Sequence, residues 1–317
     1  MRTVVALGGN AVVGQDDVSV ARQRKRIRTA TDPVRTLTDR GHEVVLTHGN
    51  GPQVGRSLER QEEASLPERP LAVLVAETQA QIGYLLADEL DPLDEDRVST
   101  VLTRVRVEPD DPAFSNPSKP VGPYYDEAAA AAKPFETMAV TTPEGDDAYR
   151  RVVPSPRPIE VLERDEIGTL VDSGSTVVCG GGGGVPVVGD DRSVPDTAMS
   201  LSADEATSAS GVAAVVDKDH TTSLIASSVD ADLLVMATDV EYAYRDFGTA
   251  DQRPIRQADT STMRSALANG EFAVGSMRPK VEACLDFLRN GGDRVVITTP
   301  EQIVAAVDGD AGTQIRP

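Results

Sequence analysis

The stretch Val44-Val45-Leu46-Thr47-His48-Gly49-Asn50-Gly51-Pro52-Gln53 decides the fold. A run of β-branched and apolar residues enters a turn of glycine and asparagine, and Pro52 then suits the first turn of a helix. The run has no polar alternation, so it predicts a strand buried on both faces, as in a parallel sheet covered by helices. Glycine directly after such a strand lets backbone N–H groups approach a ligand closely.

The same pattern recurs on either side. Val4-Val5-Ala6-Leu7 enters Gly8-Gly9-Asn10, and Val177-Val178-Cys179 enters the glycine run 180–184. Near the C-terminus Gly275-Ser276-Met277-Arg278-Pro279-Lys280 opens a helix. Apolar runs at 99–103, 213–216, 233–238 and 294–298 complete the predicted strands. Helical stretches are predicted at 19–39, 71–90, 158–172, 221–228 and 279–290. Alternating β and α elements imply an α/β fold, a mostly parallel sheet with helices on both faces. Functional loops in such sheets lie beyond the C-terminal ends of the strands.

One region interrupts this rhythm. Residues 110–156 are rich in Pro and turn residues and carry five of the eleven aromatics, Phe114, Tyr124, Tyr125, Phe135 and Tyr149. They read as a small protruding subdomain with a packed core of its own.

Composition excludes several classes. With 51 acidic against 31 basic residues the chain of 317 carries a formal charge of −20. Such a surface repels nucleic acid and anionic membranes. The acidic residues are spread along the chain, which reads as the solvation shell of a salt-adapted protein. Trp is absent and aromatics make up 3%, so the core must be built from Val, Leu, Ile and Ala. Two cysteines, Cys179 and Cys284, are too few for a disulfide framework and read as reduced. The start MRTVVALGGNAVV lacks a cleavage pattern, and no apolar run approaches membrane-spanning length, so a cytoplasmic location is expected.

Only five lysines occur, against 26 arginines. A chain that prefers Arg this consistently should keep Lys where a compact point charge is needed. Lys218 is flanked by Asp217 and Asp219 at the end of a predicted strand. Lys280 sits in a first helical turn, an unfavourable place for a cation unless an anion binds there. Lys119 lies in the subdomain, whereas Lys25 and Lys133 read as solvated. Neither a P-loop nor a dinucleotide fingerprint appears, and three histidines without metal-ligand spacing argue against metallo- and Ser/His hydrolases. Glycine turns with lysines are the tools of phosphoryl transfer, where placement and charge stabilisation do nearly everything.

The set ALGGNA, THGNGPQVG, QIGY, DPAF, SKPVGPYY, RRVVPSP, GGGGVPV, AVVDKD, ATDVEYAY and GSMRPKVEA closely resembles the carbamate kinases of the amino acid kinase superfamily. The motifs run in order from residue 6 to 283, nearly the whole chain. The resemblance implies an open three-layer αβα sandwich, usually dimeric, that transfers a phosphoryl group between ATP and carbamate and makes ATP in arginine fermentation. It implies an acceptor-binding half at about 1–195, a nucleotide-binding half at about 196–317 and a lid-like subdomain at 110–156. Gly8, Gly9, Asn10, Gly49, Asn50 and Gly51 are expected to cradle carbamate and the transferred group. Lys218 and Lys280 should contact phosphates, with Asp219 organising them and Lys119 reaching in. Thr238, Asp239, Tyr244 and Met277 should lie along the nucleotide, with Mg²⁺ arriving bound to it. Three positions depart from the family pattern: Arg278 for Gly, Glu241 for Asp and Ala80 for Gly. Alternatives are a kinase for another small acid or a nucleoside monophosphate, or a nucleotide sensor without catalysis.

Overall fold

The computed structural model describes residues 1–9, 20–64, 69–91, 97–142, 144–189, 210–273 and 275–317. The first part of the chain supplies β1 (Arg2–Leu7), α1 (Val20–Asp39), β2 (Glu43–His48), α2 (Gly51–Ala64), α3 (Leu71–Leu90), β3 (Val98–Thr100) and β4 (Arg104–Val107). Next come β5 (Lys119–Tyr125), α4 (Glu127–Ala131), β6 (Thr137–Thr141) and β7 (Asp147–Val153). The chain returns through β8 (Pro158–Val161), α5 (Arg164–Asp172), β9 (Thr176–Cys179), β10 (Val185–Val188) and β11 (Ser210–Gly211). Then follow α6 (Lys218–Ser228), β12 (Leu233–Ala237), the hairpin β13 (Ala243–Arg245) and β14 (Arg253–Ile255), β15 (Gln257–Asp259) and α7 (Thr260–Ala268). The last elements are α8 (Met277–Arg289), β16 (Arg294–Thr298), α9 (Ile303–Asp308) and β17 (Thr313–Arg316).

Eight strands form the main sheet in the order β15-β17-β16-β12-β1-β2-β9-β3. Every pairing is parallel except β16 with β17. The apolar runs explain both covered faces. Along β1, Val4 and Ala6 pack under α5, α6 and α8, while Val5 and Leu7 pack under α1, α3 and α9. Successive side chains point to opposite faces, so an uninterrupted apolar strand requires a helix layer on each side. This is the expected three-layer αβα sandwich.

Two predicted elements differ. Residues 213–216 form no strand, and Val215 N–H donates instead to the Pro154 carbonyl at 3.0 Å. The predicted helix at 158–172 splits into β8, paired antiparallel with β4, and α5.

Strands β5, β7 and β6 form a separate antiparallel sheet. Its core is not its own. Val121 and Val153 pack with Val54 and Leu58 of α2 and Val185 of β10, and Phe114 belongs to the main core. Lys133, read as solvated, instead donates to Glu62 of α2 at 2.6 Å and lies 4.3 Å over the Tyr125 ring. Tyr125 Oη donates to the same carboxylate, so a single acidic side chain of α2 holds the subdomain at its outer end. Among the described residues no helix is long and apolar enough to cross a membrane.

Candidate active site

The glycine turns converge at the C-terminal ends of β1, β2 and β12. Gly8 N–H donates to the Ala237 carbonyl at 3.1 Å, and Gly49 N–H to the Leu7 carbonyl at 3.2 Å. The turns touch: a Cβ on Gly49 would sit 2.8 Å from Gly9 Cα, closer than side-chain carbons approach backbone. Asn10 lies outside the described residues. Asn50 is buried and donates from Nδ2 to Thr78 Oγ1 at 2.9 Å. Its amide is wedged against Gly182, which holds φ at +63° and where a Cβ would meet Asn50 Oδ1 at 2.0 Å. The glycine run 180–184 therefore acts by close packing. It is buried and lines none of the three cavities described below.

The cations are arranged by two aspartates. Asp217 caps α6, its Oδ1 accepting from Asp219 N–H at 2.9 Å, which places Lys218 at the helix start rather than at a strand end. Asp219 accepts from Lys218 on Oδ1 at 2.5 Å and from Lys280, in the first turns of α8, on Oδ2 at 2.8 Å. Lys119, the first residue of β5, donates to Asp217 Oδ2 at 3.0 Å. The three predicted site lysines thus meet in two ion-paired groups, Lys119–Asp217 and Lys218–Asp219–Lys280, joined by the Asp219 N–H to Asp217 hydrogen bond. Three ammonium groups against two carboxylates leave one net positive charge, in a protein of charge −20.

Burial tunes these groups. It would raise the Asp219 carboxyl, but Lys218 and Lys280 outweigh it and hold Asp219 well below the usual carboxylate range. Burial and the neighbouring Asp219 would raise Asp217, and Lys119 outweighs both. Burial pushes the Lys218 ammonium down, with Lys280 adding repulsion, while Asp219 keeps Lys280 raised against its own burial. His48 is lowered to about 4, first by burial and then by Lys218, and its Nδ1 lies 3.1 Å from the Gly49 carbonyl. It is a neutral packing residue. Both cysteines are buried free thiols, as expected.

Two cavities flank this ion chain. The first, about 430 Å³, is lined by Gly8, Gly9, Lys218 and Lys280, together with the predicted nucleotide residues Thr238, Asp239, Tyr244 and Met277. The second, about 400 Å³, lies between α2 and β5 and is lined by Asn50, Gly51 and Lys119. It also holds Arg56 and Arg150, which the sequence reading did not single out. Arg150 donates to the Gly122 carbonyl from Nε at 3.0 Å and Nη2 at 2.7 Å, bracing the turn of β5. A third cavity, about 340 Å³, shares Thr238 and Asp239 with the first. The unusual Arg278 pairs with Glu282 one turn along α8, at 2.9 Å, and lines none of the three. Among the described residues no group of three or more His, Cys, Asp or Glu could hold a metal.

A parallel αβα sandwich with glycine turns at its strand ends and partly buried lysines gathered beside them defines a phosphotransferase class, and comparison with known proteins narrows it. The amino acid kinase family matches residues 1–299, and the chain belongs to that family. Relatives that match nearly the whole chain include carbamate kinases. One from Halobacterium salinarum is 46% identical over 99% of this chain and 98% of its own. One from Haemophilus influenzae is 39% identical over 99% and 96%. A solved carbamate kinase from Giardia lamblia bound to AMP-PNP superposes with a TM-score of 0.86 at 36% identity, covering 99% of this chain and 98% of that one.

Proposed function

We propose that this protein is a kinase that reversibly transfers the γ-phosphoryl group of MgATP to carbamate, giving carbamoyl phosphate and ADP. The observation that carries the reading is Asp219 holding Lys218 and Lys280 on its two oxygens at the wall of the first cavity. The carbamate kinases that match nearly the whole chain support it.

The nucleotide occupies the first cavity, in the half at about 196–317, and the acceptor lies toward Gly49, Asn50, Gly51 and Lys119. A carbamate oxygen forms a bond to the γ-phosphorus as the bond to the ADP oxygen breaks, and no proton moves. Carbamate is already an anion, so no general base is required, which agrees with a buried, neutral His48. The barrier is repulsion between a negative nucleophile and a negative phosphate. Backbone N–H groups of the glycine turns and the ammonium groups of Lys218, Lys280 and Lys119 offset it.

Mg²⁺ fits this site as part of the nucleotide. Asp217 and Asp219 are already engaged by lysines, so the phosphates themselves carry the ion, which neutralises charge on the transferring group. The subdomain at 110–156 closes over the acceptor. We further infer a cytoplasmic homodimer that makes ATP in arginine catabolism.

The test is a coupled assay of ATP formation from carbamoyl phosphate and MgADP in molar KCl, beside acetylglutamate and nucleoside monophosphates as acceptors of ATP. Turnover with carbamoyl phosphate alone is expected. Preference for another acceptor, or no turnover at all, defeats the reading.

A further inference from the structure

The second cavity is larger than carbamate requires. At about 400 Å³ it runs along α2 and β5, and it carries Lys119, Arg56 and Arg150 against one carboxylate, Glu59. Its inner end holds Asn50, Gly51 and Lys119, next to Asp217. Its outer part lies toward Tyr124, near where Tyr125 donates to Glu62 of α2. Between the two, the walls approach at glycines, and a Cβ on Gly55 would fall 3.9 Å from Gly122 N.

Arg150 reaches into this gap. It is half-buried and spends Nε and Nη2 on a single acceptor, the Gly122 carbonyl, at 3.0 and 2.7 Å. The Tyr124 ring covers its guanidinium at 5.0 Å. Burial lowers its pKa, and among the described residues no carboxylate opposes that shift. A guanidinium has five N–H donors, so Arg150 keeps donors in hand and lacks a counter-charge. A partly buried cation in that condition favours an anion beside it.

The route of the substrate points the same way. Only the first and second of the three cavities include residues of the glycine turns, so with nucleotide in the first an anionic substrate enters through the second. It must approach a protein of charge −20. Molar salt screens long-range steering, so direct contact with a cation has to offset the repulsion.

We infer that Arg150 makes the outer part of the second cavity a binding site for a tetrahedral phosphate group, separate from the transfer site at Lys218 and Lys280. The group belongs either to incoming carbamoyl phosphate or to free phosphate, and both present paired oxygens that suit a fork of N–H donors. This deepens the kinase reading and rests on it for the identity of the substrate.

The experiment is calorimetric titration of inorganic phosphate and of carbamoyl phosphate into the full chain saturated with MgAMP-PNP, in molar KCl. The γ-phosphate of that nucleotide occupies the transfer position, so a further phosphate reports the outer site. Both anions are expected to bind. Arg150→Gln should weaken both at least roughly tenfold, as expected for losing a charged hydrogen bond. Arg150→Lys keeps the charge without the double grip on Gly122, so it should lose less than Arg150→Gln. Affinity for MgAMP-PNP should not change, since Arg150 does not line the first cavity. Carbamoyl phosphate binding at least about threefold more tightly than phosphate makes the incoming substrate the source, and equal or weaker binding makes it free phosphate. Failure of the wild-type protein to bind either anion overturns the site even if the variants do not fold. Unchanged affinity in folded Arg150→Gln also overturns it, as do equal losses in the two variants, which would leave Arg150 a brace of β5. Wild-type protein that does not bind MgAMP-PNP overturns the kinase reading instead, so the two failures are distinguishable.

Discussion

Lys280 Nζ donates to Asp219 Oδ2 at 2.8 Å across 61 residues of chain, and this contact joins the first turns of α6 and α8. Because Asp219 gives its other oxygen to Lys218, one buried carboxylate spaces two ammonium groups. Lys218→Ala and Lys280→Ala should each lower kcat by roughly 10²-fold, as expected for losing a charge that faces the transition state. Arg at either position should restore little, since a planar fork cannot occupy a point-charge site. Asp219→Asn removes the carboxylate that two largely buried cations share, leaving only the more distant Asp217, and should lower stability by about 3 kcal/mol. The exposed Lys25 is the control, and Lys25→Ala should be silent. Near-normal turnover in Lys280→Ala would remove that lysine from the chemistry.

Lys119 should behave differently, because it lines the second cavity and not the first. Lys119→Ala is expected to slow ATP formation less than Lys218→Ala does, with MgADP affinity unchanged. Weakened MgADP binding would show that Lys119 serves the nucleotide. Replacing the whole subdomain by a short turn is a harsher change than its sequence suggests. It strips Val121 and Val153 from the cluster they share with Val54, Leu58 and Val185, so stability should fall along with transfer.

Stability should rise with pH between about 4 and 6.5. Burial lowers His48 from the ordinary 6.5 to about 4, so within that window the unfolded chain binds a proton that the folded chain refuses. The contribution is fully present above 6.5 and is lost as pH falls towards 4, about 3 kcal/mol in all. His42 and His220 are also lowered, first by burial, and act with the same sign. In denaturant titrations across this range, His48→Gln should give a slope shallower by about one proton. Equal slopes would mean that His48 titrates normally in the folded protein.

An evenly acidic surface stores self-repulsion that counterions relieve, and at molar salt the Debye length is about 3 Å. With a formal charge of −20, folding and activity should need molar KCl or NaCl and decline in dilute buffer. A melting temperature unchanged between the two would end the salt-adaptation reading and leave the kinase reading intact.

The sequence alone determined the strands, the helix-covered sheet and the glycine turns at its edge, because these depend on local periodicity and turn chemistry. It also marked Lys119, Lys218 and Lys280 through their rarity among arginines. Tertiary structure decided what these residues meet. The run at 213–216 has the apolar character of a strand, yet its neighbour in space is the carbonyl of Pro154, so no ladder forms. Lys133 looks solvated until Glu62, 71 residues away, is folded against it. The run 180–184 looks like an anion cradle, whereas its φ values and missing Cβ atoms serve the packing of His48 and Asn50. Charge pairing, burial and close packing are relations between segments far apart in the chain, and only the folded protein sets those distances.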